Sequence, residues 1–129
     1  MNRSSQKTFT ISQLAAQLEV SPHTIRFYEE KGLLSPERTS GNQRIYTGKE
    51  RARLKLIKRG KRFGFSLNEI AEMIGMADTN VNERKQIQKS LDYGRRKLAE
   101  IEQRREELDL LEEDLVAMQQ TLITRLEEI

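Results

Sequence analysis

The run SPHTIRFYEEKGLL, residues 21–34, concentrates the side chains of this chain best suited to recognition chemistry. Ser21-Pro22 is a helix start: a hydroxyl that can accept from a free backbone N–H, then a proline whose missing N–H costs nothing there. Gly32 stands where a left-handed C-terminal residue is wanted. A helix so short, carrying both aromatics and charges, is poorly suited to a core role alone. Its first turn holds Ser21, His23 and Thr24, where backbone N–H groups also favour a phosphate. Arg26, one turn further, can form a bidentate pair with guanine, or can be a plain solvated side chain. Phe27 and Tyr28 add apolar surface and a hydroxyl, though each can instead belong to the core. His23 reads as a polar surface residue or a phosphate contact.

Such a helix needs a frame. Thr10-x-x-Gln13 is a capping-box pattern, and Ile11, Leu14, Ala15 and Leu18 follow at helical spacing, predicting a helix over residues 11–18. With the helix that Ser21 caps, it makes a helix-turn-helix pattern. In the following LLSPERTSGNQRIY, Pro36 and Gly41-Asn42 are turn chemistry, and Gln43, Ile45 and Tyr46 begin to alternate. This predicts a small β-hairpin, a wing with its tip near residues 39–42. The wing offers Arg38, Asn42, Arg44 and Tyr46 to a nucleic-acid backbone or minor groove. Thr47-x-x-Glu50 is a second capping box. It opens a helix with Leu54, Ile57 and Phe63 as its apolar part, stopped by Gly64. Lys58, Lys61 and Arg62, spaced i, i+3, i+4 on that helix, are the favoured phosphate contacts of its basic run. Ser66-x-x-Glu69 is a third capping box, opening a helix that Gly75 ends. The expected core is Leu14, Leu18, Ile25, Leu33, Leu54, Ile57 and Ile70.

The charge distribution agrees with a polyanionic partner. Residues 1–64 hold 14 Lys/Arg against 5 Asp/Glu, and residues 65–129 hold 9 against 15, a net +9 followed by −6. A basic first half points to nucleic acid, a mixed-charge solvated surface being the plainer alternative. The chain has 129 residues, no Cys and one His, with 36% hydrophobic and 33% charged residues. Disulfides, thiolate metal sites, thiol nucleophiles and multi-histidine metal sites are all excluded for this chain, and no cofactor is expected. No apolar run approaches transmembrane length, so a soluble, cytoplasmic protein without a membrane partner is expected.

From about Asn82 onward there is no Pro, and Gly94 is the only Gly. Ile87, Leu91, Leu98, Ile101, Leu108, Leu111, Leu115 and Met118 recur mostly in steps of three and four, with Leu122 and Leu126 beyond. Gly94 and Arg105 fill seam positions where an apolar residue is missing. Arg105, Leu108 and Leu111 are two successive steps of three, a phase slip that disturbs supercoiling locally. About 40 helical residues span roughly 60 Å, too long to fold back on a domain of about 75 residues. The seam therefore calls for a partner helix, most simply a second copy. The expected division is a DNA-binding domain over 8–76 and a dimerisation helix over 80–129.

The order SPHTIRFYEEKGLL, NQRIYTGKE, GFSLNEIAEMI and a long helix resembles the MerR family of bacterial transcription regulators. The resemblance implies a mainly α protein: a winged helix-turn-helix joined to an antiparallel coiled coil in a homodimer. It implies a partner too, the double-stranded DNA of a promoter operator, which the dimer bends and untwists, with an RNA polymerase contact as a further expectation. It assigns recognition to Thr24, Arg26, Phe27 and Tyr28, and the wing motif to Arg44-Ile45-Tyr46. Phe27 stands where many members have Tyr and brings no hydroxyl. The family's metal sensors use cysteines near the coiled-coil end, which this chain lacks, and its multidrug-binding members carry a large C-terminal ligand domain, for which there is no room. A narrower similarity, carried by RLKLIKRGKRFGFSLNEI, is to the regulators of branched-chain amino acid and fatty acid degradation genes. It implies control of catabolic genes, with acyl-thioesters as candidate effectors.

A low-specificity architectural DNA-binding protein or a coiled-coil scaffold is the competing reading. The ratio of specific to non-specific affinity separates the two. An enzyme is not expected: no Gly-rich phosphate loop is present, and His23 has no identifiable nucleophile at triad spacing.

Overall fold

A computed structural model describes residues 7–76 and 83–129. The chain divides into two compact units, residues 1–78 and 79–129, considered separately below.

The first unit opens with β1 (Thr8–Phe9), α1 (Ile11–Leu18) and α2 (Pro22–Glu30). Thr10 and Gln13 form the expected reciprocal capping box, at 3.1 and 2.9 Å. Ser21 caps α2 by accepting from the Thr24 N–H at 3.1 Å. Both helices close alike: the Val20 N–H reaches the Ala15 carbonyl, and the Leu33 N–H reaches that of Tyr28. These bonds recover carbonyls that a helix end would otherwise leave unpaired. The left-handed residue is Gly32 after α2 (φ 79°), but Glu19 after α1 (φ 55°).

The wing is β2 (Glu37–Arg38) and β3 (Arg44–Thr47). Asn42 takes the left-handed conformation at its tip (φ 65°), which an Asn side chain tolerates. The expected hairpin supplies two strands of a three-stranded antiparallel sheet in the order β1-β3-β2. Phe9 faces Tyr46, and Arg38 faces Arg44. A two-residue β1 is too short to show an alternation in the sequence.

Next come α3 (Gly48–Arg62) and α4 (Leu67–Met76). Thr47 is the N-cap of α3, yet no capping box forms there. The Glu50 carboxylate instead accepts from the Ser35 N–H at 3.0 Å and is buried in doing so. The third box, Ser66 with Glu69, forms in both directions at 3.0 and 3.1 Å. Gly75 does not end α4, which continues to Met76. All seven expected core residues are buried, joined by Leu34, Tyr46, Phe65 and Ile74. Phe63, expected among the apolar contacts of α3, is 63% exposed.

The second unit is one helix, α5 (Arg84–Glu128). The expected start near Asn82 lies outside the described residues. Its 45 residues at about 1.5 Å each make it roughly 68 Å long. Along it Ile87, Leu91, Leu98, Leu108, Leu111, Leu115, Met118, Leu122 and Leu126 are exposed, and Ile101 is half-buried. A single chain leaves most of that seam in water.

Candidate nucleic-acid interface

Nine residues make α2, and at about 100° per residue they divide cleanly into two faces. Ile25, Tyr28 and Glu29 turn inward: Ile25 is buried and the other two are half-buried. His23, Arg26, Phe27 and Glu30 turn outward and are exposed. Ser21 and Thr24 begin the helix, their hydroxyls 2.8 Å apart. Each is engaged in capping and keeps a lone pair for an outside donor. Phe27 lies on the outward face with its ring 5.8 Å from that of Tyr28 and the Lys31 ammonium 5.4 Å above it. Tyr28 is the partly buried member of the pair, and burial pushes its hydroxyl pKa up. Of the alternatives open for these aromatics, Phe27 takes the surface and Tyr28 sits at its edge. Glu30 shares the outward face with Arg26, one turn further along, and puts a carboxylate there.

The wing meets α2 through one carboxylate. Glu29 Oε2 accepts from Arg44 Nε at 2.6 Å, and Glu29 Oε1 accepts from Arg38 Nη2 at 3.4 Å. Arg38 also donates through Nη1 to the Asn42 carbonyl at 3.3 Å, tying the arginine to the turn. Asn42 itself is exposed at the tip. Arg38 and Arg44 are thus neighbouring cations held against the side of the helix.

Tyr46 corrects the expectation. Its side chain is fully buried in the core, so it is not available to DNA. Its hydroxyl is buried and finds no hydrogen-bond partner among the described residues. Burial, then the nearby Glu29 charge, pushes its pKa up against the opposing pull of Arg44, Arg38 and Arg26. The residue anchors β3, and with it the wing, to the core.

The basic run of α3 also divides. Lys58 is half-buried and donates to the Leu18 carbonyl, so its ammonium caps the end of α1. Lys55, Arg59 and Arg62 join it around a cavity of about 200 Å³ beside Leu18, whereas Lys61 does not line that cavity. Lys61 and Arg62 are exposed. The expected trio is therefore not one uniform row of free cations. The sequence reading missed a second basic hollow, of about 620 Å³, where Lys7, Lys49, Arg51 and Lys55 gather between β1, α1 and α3. Arg51 in it donates to Gln17 Oε1 at 3.0 Å and covers the Phe9 ring. Only folding brings Lys7 beside α3.

Among the described residues, no group of three or more His, Cys, Asp or Glu could hold a metal ion. No helix among them is long and apolar enough to cross a membrane.

A short helix with a polar outward face, stapled to a cationic wing and following a capped partner helix, defines a winged helix-turn-helix DNA-binding protein. The comparison with known proteins narrows the class. The MerR HTH family regulatory protein model matches residues 9–76, and the MerR DNA-binding model matches residues 51–118. The chain belongs to the MerR family: it is a DNA-binding transcription regulator, not an enzyme. It is 34% identical over 113 residues to the mercuric resistance operon regulatory protein of Bacillus cereus, covering 87% of this chain and 83% of that one. It is 35% identical over 108 residues to the HTH-type transcriptional regulator ZntR of Escherichia coli (strain K12), covering 83% and 75%. Among solved structures it is similar to HiNmlR, a MerR family regulator lacking the sensor domain, bound to promoter DNA. There the identity is 28% and the TM-score 0.50, over 75% of this chain and 77% of that one. Neither curated relative is a regulator of amino acid or fatty acid degradation, so the narrower similarity has no support among them.

Proposed function

We propose that this chain binds a promoter operator as a homodimer, reading the major groove with α2 and clamping the backbone with the wing. Residues 8–76 serve as the DNA-binding domain and residues 80–129 as the dimerisation helix. The observation that carries this reading is the outward face of α2, His23, Arg26 and Phe27, with the Arg38–Arg44 pair fixed at its flank. Ser21, Thr24, Lys61 and Arg62 are placed on phosphates, and Asn42 reaches out from the wing tip. Lys58 acts chiefly by holding α1.

The dimer would form through α5. Its exposed Leu and Ile seam needs a partner helix, and an antiparallel copy would bury Ile87, Leu91, Leu98, Ile101, Leu108, Leu111, Leu115 and Met118. The HiNmlR complex supports promoter DNA as the target. Bending and untwisting of that DNA, an RNA polymerase contact and a cytoplasmic location belong to the same reading. The effector is a separate matter. Relatives named for mercuric resistance and ZntR direct attention to metals. This chain contains no Cys, so thiolates from it cannot form such a site. Catabolic genes and acyl-thioester effectors rest on the RLKLIKRGKRFGFSLNEI similarity alone.

The test is footprinting to find the operator, followed by titration of Arg26→Ala on operator and random duplexes at one salt concentration. Loss of a bidentate base contact weakens operator binding by about 1–3 kcal/mol and spares random DNA. Equal binding of operator and random duplexes by the wild-type protein would point to the architectural alternative.

A further inference from the structure

Glu29 is a carboxylate on the recognition helix of a protein whose ligand is a polyanion. Charge alone makes it a liability. Its position shows another role. One oxygen takes Arg44 Nε at 2.6 Å and the other takes Arg38 Nη2 at 3.4 Å. Arg38 and Arg44 face each other across β2 and β3, so Glu29 ties both wing strands to one point on α2. The Glu29 side chain is only 19% exposed, against 40% and 29% for Arg38 and Arg44. The contact is therefore sheltered while the arginines still reach water. A guanidinium has five donors. Arg44 gives Glu29 its inner Nε–H, which leaves both terminal nitrogens without a bond to Glu29.

We infer that Glu29 is a positioning residue for DNA recognition: it holds Arg38 and Arg44 at a set distance from the reading face of α2, so that helix and wing engage the duplex as one rigid unit. The inference rests on the wing arginines being DNA contacts. It gives a sign that electrostatics alone reverses. Removing a negative charge beside a polyanion strengthens binding to any duplex. Releasing the arginines from their sheltered partner instead leaves them to be ordered at the moment of binding, which weakens the cognate complex. Random DNA, bound by charge without a fixed geometry, gains or is unchanged.

The experiment uses the full chain with its footprinted operator and a random duplex of equal length. Glu29→Gln is expected to weaken operator binding by about tenfold, the size of one lost charge-assisted contact. Random-duplex binding is expected to stay constant or tighten. In an Arg38→Ala/Arg44→Ala background, Glu29→Gln is expected to add nothing, because its partners are gone. Circular dichroism on the same samples reports folding. If Glu29→Gln fails to fold, Glu29→Asp serves: it keeps the charge but shortens the reach, so it is expected to lose operator affinity where a purely electrostatic role predicts no change. Equal strengthening on both duplexes, or the same loss with the arginines already removed, overturns the proposal. If the double arginine variant binds the operator like wild type, the wing arginines are not contacts, and the reading beneath the proposal fails with it. If the double arginine variant loses operator affinity while Glu29→Gln and Glu29→Asp, each made in the otherwise wild-type chain, bind the operator unchanged, the Glu29 proposal alone fails.

Discussion

Tyr46 and Lys58 show how a side chain that looks suited to DNA can be needed inside the protein. Tyr46 buries its whole ring, and its hydroxyl has no partner among the described residues. Leaving a polar group buried and unpaired costs about 1–3 kcal/mol, so removing it should do no harm. Tyr46→Phe is therefore expected to leave operator affinity unchanged and to keep or raise stability, by up to about 1 kcal/mol in a urea titration. A loss of operator affinity would return Tyr46 to the contact surface. The same variant tests a pH effect. The folded-state pKa of Tyr46 is raised above the usual 10.0 by burial and then by Glu29, and that of Tyr28 by burial. Above pH 10.0 the unfolded chain ionises its tyrosines first, so their contribution to stability is complete below that pH and is lost as pH rises through the folded values. Stability measured from neutral to alkaline pH should fall less steeply in Tyr46→Phe. Lys58 is the opposite case. Its bond to the Leu18 carbonyl sits at a helix C-terminus, where a cation is favoured by about 1 kcal/mol. Lys58→Ala should lower the melting temperature as well as DNA affinity, whereas Lys61→Ala should affect DNA affinity alone.

At the scale of elements, the pairing of α3 with α4 depends on a glycine. A Cβ at Gly60 would fall 2.7 and 2.8 Å from the Ile70 side chain, which is itself fully buried. The helices meet this closely because nothing projects from position 60. The turn between them closes on the same residue, with the Phe65 N–H donating to the Gly60 carbonyl at 2.9 Å. Gly60→Ala gains about 1 kcal/mol of helix propensity but overpacks the contact, at a cost of about 1–3 kcal/mol. The balance should be destabilising, seen as a lower melting temperature by calorimetry. A stabilised variant would mean that Ile70 has room to move. Phe65, Ile70 and Ile74 sit on this seam, so operator affinity should fall with it if Lys61 and Arg62 depend on the α3–α4 turn for their position.

At the scale of the whole molecule, α5 leaves its apolar seam uncovered in the single chain. Each buried Leu or Ile contributes about 1.5–3 kcal/mol relative to exposure, and a symmetric dimer makes every contact twice. Leu98→Glu combined with Ile101→Glu should therefore give a monomer in sedimentation. The first unit has its own core, so much of its helical signal should remain. A monomer engages one half-site only, and operator binding should fall toward the non-specific level. A monomeric double variant that binds the operator like wild type would separate dimerisation from DNA binding.

What the sequence determined by itself was whatever neighbouring residues could settle between them. Thr10 with Gln13 and Ser66 with Glu69 cap their helices as written, because donor and acceptor lie three residues apart. Ser21-Pro22 and Gly32 likewise bound α2, and the period of the apolar residues picked out core positions and the long seam. Thr47 with Glu50 has the same pattern, yet the tertiary structure decided otherwise: the Ser35 amide, fifteen residues away, takes the carboxylate. The same holds for the wing. A strand's period of two puts Arg44 and Tyr46 on one face and Ile45 on the other, but does not say which face meets the core. Packing against α1 and α3 chose the Tyr46 side and in doing so brought Arg44 to Glu29, also fifteen residues away. Lys58 was diverted to Leu18 across forty residues. Spacing along the chain carries local hydrogen bonds and periodic burial. Which charge meets which partner depends on distances through space, and those exist only once the elements have packed.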